Sequence, residues 1–169
     1  ATGITVRASA TNLTAATSAA FAVTPAPAVA VRIAQQPGNV NVGTAFNPAV
    51  TAEVRDSLGN RVTSDSATVV ALAVNDTAGT FGLSGTTSRA VIGGLASFSG
   101  VSVTAPAIGR RLRVSSPGLG VDSSTVFNAI GPVTQLVFTT LPTSVVRGTA
   151  FAAAPVVVGR DALGGSGDC

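Results

Sequence analysis

Three polar loop residues carry the side chains best suited to binding an ion: Asp56, Asn60 and Asp65. Carboxylate and amide oxygens are ligands that calcium prefers. The spacing does not match an EF-hand loop, and Asp and Asn also form turns by bonding to their own backbone. Two interpretations therefore stay open, part of a calcium site or ordinary turn and strand-cap chemistry. The sequence predicts no metal that folding requires.

The chain has 169 residues with no His, Lys, Tyr or Trp, and all ten of its cations are Arg. Without His the usual general base and zinc ligand are missing, and without Lys there is no Schiff-base nucleophile. The single glutamate, Glu53, lies at an outward-facing position of a predicted strand. It is therefore better interpreted as part of a solvated face than as one of the two carboxylates that a glycosidase requires. A genomic bias toward Ala, Gly, Val and Arg also explains this composition. Under either explanation we expect a protein that is not an enzyme and that carries no cofactor.

Basic side chains are densest at Arg110, Arg111 and Arg113, and the net charge is +3. A nucleic-acid site would add aromatic side chains for base stacking, and none stands beside these arginines. A solvated face is the simpler interpretation, so we expect no nucleic-acid partner. Residues 8–31 carry no charge, but Thr, Ser, Asn and Pro interrupt them, which argues against a membrane span.

Three further residues each have two interpretations. Asn12 and Asn75 begin Asn-x-Thr sequons, which indicate either glycosylation or chance. Cys169 is the only cysteine and ends a Gly-rich tail. It is either a flexible or artificial end of the chain or a thiol that crosslinks chains.

The elements that position these residues follow an internal repeat. Several segments recur at an offset of 105 or 106 residues. A fixed period of this size predicts a tandem array of domain-sized units. The recurring pairs are Gly43–Phe46 with Gly148–Phe151, Arg55–Asn60 with Arg160–Gly165, Gly3 with Gly109, and Phe21 with Phe127.

The repeat divides the chain into three parts. Residues 1–27 are predicted to be the C-terminal strands of a preceding unit, and residues 28–131 a complete unit. Residues 132–169 are predicted to be the N-terminal strands of a following unit plus a Gly-rich tail. Proline-containing hinges at 24–27 and 131–132 separate the parts.

Within the complete unit, apolar and polar residues alternate over short segments bounded by turns, and no segment has a helical period. This pattern predicts seven or more strands in an antiparallel β-sandwich. A change of phase near Ser99 and Gly100 predicts a bulge or bend. All seven Phe residues are expected in the core. The expected interior also includes Val50, Ala52, Val54, Val70, Leu72, Leu112 and Val114.

The sequence resembles the bacterial immunoglobulin-like tandem repeats of large secreted and surface proteins. The resemblance covers the complete unit and both flanking parts. It departs in the third part, where Ala153 replaces Pro48 and Gly165 replaces Asn60. The matching motifs are the apolar strand ending in Gln-Pro at 31–37, Gly-x-x-Phe-x-Pro at 43–48, Asp-x-x-Gly-Asn at 56–60, Gly-x-Ala-x-Phe at 94–98, and Phe127 near the closing strand.

This resemblance implies an all-β, immunoglobulin-like sandwich in a tandem array, with incomplete sandwich fragments at both ends of this chain. It implies an extracellular or cell-surface location and a structural role, as a filament or stalk. Other copies of the chain are the expected partners, because exposed strand edges recruit strands. The alternative is an adhesin module that binds a protein ligand on a cell surface through its loops.

One contrast between repeats favours assembly. Thr51 and Glu53 of the complete unit are replaced by Val156 and Val158 in the third part. Residues 151–158 are therefore apolar on both faces of the strand, and such strands are usually covered on both faces. Repeat drift and a buried contact between copies both explain the change. The expected assembly interface comprises Val6, Phe21, Val23, Phe151, Val156 and Val158.

Overall fold

The computed structural model of the chain describes residues 2–75 and 81–165. These residues form an all-β structure and include no helix. The first strands are β1 (Arg7–Ala8) and β2 (Ala16–Thr17), and the last are β15 (Gln135–Thr140) and β16 (Val156–Arg160). Between them lie β3 (Ala28–Gln35), β4 (Val40–Asn41), β5 (Val50–Asp56), β6 (Val69–Val74), β7 (Leu83–Ser84), β8 (Ser88–Ala90), β9 (Leu95–Phe98), β10 (Ser102–Val103), β11 (Ala107–Arg110), β12 (Leu112–Ser115), β13 (Asp122–Ser123) and β14 (Phe127–Ile130).

Strands β3 to β14 form four small sheets, in the orders β3-β5-β9, β13-β12-β6-β8, β11-β14-β4 and β10-β7. Neighbouring strands in these sheets are antiparallel, except that β4 pairs with β14 in parallel. The arrangement is consistent with the predicted β-sandwich.

The buried apolar core lies between Val31 and Ala129. Strand β5 shows how the sequence builds it, since its residues alternate between buried and partly exposed along the whole strand. All seven aliphatic residues predicted to lie inside are buried. Burial of aliphatic and aromatic area is the main source of stability in such a unit.

The change of phase predicted near Ser99 and Gly100 is a turn between two sheets. Strand β9 ends at Phe98 and belongs to the β3-β5-β9 sheet, whereas β10 pairs with β7. Gly100 has φ of 78°, a conformation that a residue with a side chain adopts only at a cost. The alternation restarts because the chain leaves one sheet and enters another.

The first hairpin, β1–β2, has the register of β12–β13 displaced by 106 residues. Arg7 pairs with Thr17 as Arg113 pairs with Ser123. The side-chain bonds match too. Ser18 Oγ accepts from Val6 N at 3.0 Å, and Ser124 Oγ accepts from Leu112 N at 2.8 Å.

The last hairpin, β15–β16, has the register of β3–β5 displaced by 105 residues. Five consecutive pairs correspond, and both hairpins have a register irregularity at the same step. The corresponding pairs are Gln135–Arg160 with Ala30–Arg55, Leu136–Gly159 with Val31–Val54, Val137–Val158 with Arg32–Glu53, Phe138–Val157 with Ile33–Ala52, and Thr140–Val156 with Gln35–Thr51.

Four of the seven Phe side chains are buried as predicted: Phe46, Phe81, Phe98 and Phe127. The prediction is wrong for Phe21, Phe138 and Phe151, which are exposed in this chain. These three lie in or beside the first and last hairpins, and no second sheet of the described residues covers the apolar faces of those hairpins.

Candidate functional site

The turn after β5 is organised by one buried carboxylate, that of Asp56. Its Oδ1 accepts hydrogen bonds from the backbone N–H groups of Leu58 and Asn60, at 3.0 and 2.8 Å. Its Oδ2 accepts from Asn60 Nδ2 at 3.2 Å and from the backbone N–H of Ala26 at 3.1 Å. Ala26 lies in the hinge before β3, so this side chain ties the turn to the segment that connects two parts of the repeat.

The same arrangement occurs 105 residues later, at Asp161. Its Oδ1 accepts from the backbone N–H groups of Leu163 and Gly165, at 2.9 and 2.8 Å. Its Oδ2 accepts from the backbone N–H of Gly131 at 2.8 Å. Asp161 is as buried as Asp56. Asp56 and Asp161 therefore each accept a hydrogen bond from the backbone N–H of a hinge residue, Ala26 or Gly131, and these two hinge residues are equivalent in the repeat.

Each of these turns borders a cavity of about 300 Å³ at the junction. Part of the two linings corresponds in the repeat, namely the segment before the hinge (23–25 and 128–130) and the end of the turn (Asn60 and Gly165), and the remaining lining residues differ. One is lined by Val23, Thr24, Pro25, Asn60, Arg61 and Thr63. The other is lined by Asn39, Ile108, Asn128, Ala129, Ile130, Asp161, Gly164 and Gly165.

Hydrogen bonding lowers the pKa of both junction carboxylates. Burial raises the pKa of Asp56, but bonds from Asn60, Ala26 and Leu58 outweigh burial and leave the pKa below its ordinary value. For Asp161 the bond from Gly131 is the largest influence and lowers the pKa. Burial opposes it, and the bonds from Gly165, Leu163 and Gly164 add to the lowering.

The calcium candidates are only partly brought together. Asp56 and Asn60 share a hydrogen bond, whereas Asp65 accepts bonds from Ala67 and Thr68 in its own loop. Bonds from the Thr68 side chain, the Thr68 amide and the Ala67 amide lower the pKa of Asp65. N–H and O–H donors thus face the carboxylate oxygens that a cation would require.

Within residues 2–75 and 81–165, no group of three or more His, Cys, Asp or Glu side chains is placed to hold a metal ion. The calcium interpretation stays a prediction without a direct test. The hydrogen bonds give Asp56 and Asp65 a structural role that the alternative interpretation, turn and cap chemistry, describes well.

Five of the six predicted interface residues are exposed in the single chain: Val6, Phe21, Val23, Phe151 and Val156. Val158 is partly buried. It pairs with Val137 in the β15–β16 register. The last hairpin therefore presents valines where the β3–β5 hairpin has Arg32 and Glu53.

The charged residues considered for chemistry lie on strand surfaces. Glu53 Oε2 accepts from Arg55 Nη2 at 2.9 Å, and its Oε1 lies 3.7 Å from Arg61 Nη1. Arg111 and Arg113 are exposed, as a solvated face requires. The Arg110 guanidinium lies over the Phe81 ring, 5.7 Å from its centroid.

The sequon residue Asn12 lies in an exposed turn with φ of 61°. The second sequon extends into 76–80, and Cys169 falls in 166–169; both segments lie outside the described residues. Among the described residues, none forms a helix of the length and apolarity needed to cross a membrane.

Neither a scan against protein-family models nor a search of curated proteins found a match to this chain. From the sequence, Asp56 is a candidate calcium ligand, and Asp161, Ala26 and Gly131 are not identified as functional residues. The recurrence of Arg-Asp-x-Leu-Gly was the available signal for Asp161. Nothing in the sequence pointed to the hinge amides that these aspartates bind.

Proposed function

We propose that this chain is a segment of a structural, extracellular array of immunoglobulin-like sandwich units, which builds a surface filament or stalk. The proposal assigns the chain no catalytic role. The observation that carries it is the repetition of strand register and junction hydrogen bonds at 105 or 106 residues. A protein selected for length and spacing needs such copies, whereas a binding module needs one specialised surface.

We further propose that strands from another copy cover the exposed faces of the first and last hairpins, head to tail. A contact inside the complete unit is the template for this contact between copies. In it, Val31 N donates to Gly120 O at 2.8 Å and Gly120 N donates to Val29 O at 2.9 Å. The repeat-equivalent contact would join Leu136 of one copy to Thr14 of another.

The residues that replace Arg32 and Asp122 at this contact are compatible with pairing between the last hairpin of one copy and the first hairpin of another. In the complete unit, Arg32 Nη1 lies 3.9 Å from Asp122 Oδ1. The equivalent residues are Val137 in the last hairpin and Ala16 in the first, so both charges are replaced together. Joining the hairpins would bury apolar area on both sides and leave no unpaired charge, which costs much when buried.

Sedimentation velocity and negative-stain electron microscopy of the full chain at micromolar concentration test the proposal. We expect concentration-dependent head-to-tail oligomers. Replacing Val156 with Thr and Val158 with Glu restores the residues of the complete unit. This double variant should weaken association by about tenfold or more, because it removes apolar area and adds a charge that must be desolvated.

The matched control is Thr51→Val combined with Glu53→Val, which places the same valines in the complete unit. This control should associate as the parent does. A parent that stays monomeric at these concentrations, or a Val156→Thr, Val158→Glu variant that associates equally well, contradicts head-to-tail association. Binding of a cell-surface protein by the monomer would then favour the adhesin alternative.

A further inference from the structure

We propose that Asp56 and Asp161 are joint residues: each carboxylate binds the hinge amide before its own unit and thereby sets the angle between that unit and the preceding one. This inference rests on the proposed array, because a joint has a role only between units. It adds a specific device to the array, a stiff connection made by one side chain per repeat.

The hinge at the second junction is short, and hydrogen bonds fix it near both ends. Strand β14 ends at Ile130 and β15 begins at Gln135, so only residues 131–134 connect them. The amide of Gly131 donates to Asp161 Oδ2 at 2.8 Å, and the amide of Thr134 donates to Arg160 O at 2.8 Å. Pro132 lies between these two fixed amides, and its ring restricts φ.

The hinge also packs against the preceding unit. A Cβ atom added to Gly131 would lie 3.1 Å from Pro106 Cβ and 3.5 Å from Asp161 Cβ. Gly131 therefore fits between the complete unit and the carboxylate that binds it. The backbone of the hinge contacts both units, so its direction determines how they are oriented.

The first junction repeats the same chemistry with a different hinge sequence. Ala26 replaces Gly131 and precedes Pro27 as Gly131 precedes Pro132. Its amide donates to Asp56 Oδ2 at 3.1 Å. The bond from the hinge to the turn is therefore present at both junctions, although the hinge residue differs.

An Asp→Asn substitution at Asp56 or Asp161 should remove the hydrogen bond to the hinge amide and keep the hydrogen bonds within the turn. The amide oxygen of Asn can keep the two turn bonds that Oδ1 accepts, but its NH₂ group faces the hinge N–H, and two donors cannot bond. In Asp161→Asn the bond lost is the one to Gly131. Asp65→Asn is the matched control, because the Asp65 carboxylate accepts hydrogen bonds from Ala67 and Thr68 in its own loop and, among the described residues, none from a hinge amide.

The test is amide hydrogen exchange by NMR on the full chain, together with residual dipolar couplings for the complete unit and for β15–β16. In the parent we expect a protected Gly131 amide and a single alignment for both parts. In Asp161→Asn, protection of Gly131 should fall by about tenfold or more while that of Leu163 and Gly165 is kept, because a bond to an ionised acceptor is lost. The two parts should then align differently. Asp56→Asn should do the same to Ala26.

Three results would overturn the inference. One is separate alignment of the two parts in the parent, and another is an unchanged Gly131 amide in Asp161→Asn. The third is an equal loss of protection at the turn amides, which would make the aspartate a turn former only. Asp65→Asn should leave Ala26 and Gly131 unchanged. All NMR samples carry Val156→Thr and Val158→Glu, which should suppress association, so failure of this test can be told apart from failure of the sedimentation test.

Discussion

The complete unit and the last hairpin have the same backbone pairing and very different burial. Val31 is 0% exposed, whereas its equivalent Leu136 is 74% exposed. Phe46 is 4% exposed, and its equivalent Phe151 is 50% exposed. The apolar residues are present in both regions, but in the part of the chain that the structure describes only those of the complete unit are covered by further sheets. Hairpin geometry is thus local, and burial depends on strands that lie far away in the sequence.

In the first hairpin, too, the backbone pairing matches that of the complete unit while the burial of the side chains differs. Its register copies that of β12–β13, yet Val6 is exposed where its equivalent Leu112 is buried. If the comparison is right, substitutions in the complete unit should cost stability and matched substitutions in the hairpins should not.

The largest effect is expected from Phe98→Ala. Phe98 is fully buried, so its removal should lower the free energy of unfolding by about 3–5 kcal/mol, the usual range for an emptied Phe site. Phe138→Ala, in the last hairpin, should change it by less than about 0.5 kcal/mol in the monomer, at protein concentrations below those at which copies associate. Guanidinium titration followed by circular dichroism measures both. Equal effects would break the comparison.

A smaller effect is expected from Ser124→Ala. Ser124 is buried, and its Oγ accepts from Leu112 N and donates to Thr125 O. Its loss leaves a buried amide without this acceptor and should cost about 1–3 kcal/mol. Ser18→Ala removes the equivalent, exposed hydroxyl and should cost less than about 0.5 kcal/mol. A large effect of Ser18→Ala in the monomer would contradict the exposure of the first hairpin in the single chain.

Acid should destabilise the turns through their aspartates. The folded pKa values of Asp56, Asp65 and Asp161 lie below the ordinary 3.8, so these groups stabilise the fold above that pH. That contribution should be lost as the pH falls below about 3.8 toward the folded pKa values. Melting temperatures at about pH 6, 4 and 3 measure the loss.

Two variants sharpen the acid prediction. Asp56→Asn and Asp65→Asn each remove one titrating group, so each should flatten the decline below about pH 4. An unchanged acid profile in both variants would show that other carboxylates dominate.

The smallest effect is expected from chelation. We expect the same melting temperature with and without EDTA, because the described oxygens of Asp56 and Asp65 already accept N–H and O–H bonds. A fall of several degrees on chelation, reversed by added calcium, would support the calcium interpretation.

Much of the complete unit was predictable from alternation alone. Strand β5 was expected to bury Val50, Ala52 and Val54, and it does. The phase change at Gly100 predicts a bulge or bend and not a change of sheet, because alternation reports which side of a strand faces inward and not which sheet the strand joins. The exposure of Phe138 was not predictable, because its residue type and spacing match those of a buried position.

The sequence by itself determined the repeat, the period-two alternation, the turn chemistry and the class of side chain at each position. These depend on neighbours within a few residues, so they can be read along the chain. Tertiary structure alone decided which Phe side chains are covered and which amides Asp56 and Asp161 bind. Those outcomes require groups about 30 residues apart to meet, and the acceptor capacity of a carboxylate does not specify which donor will reach it.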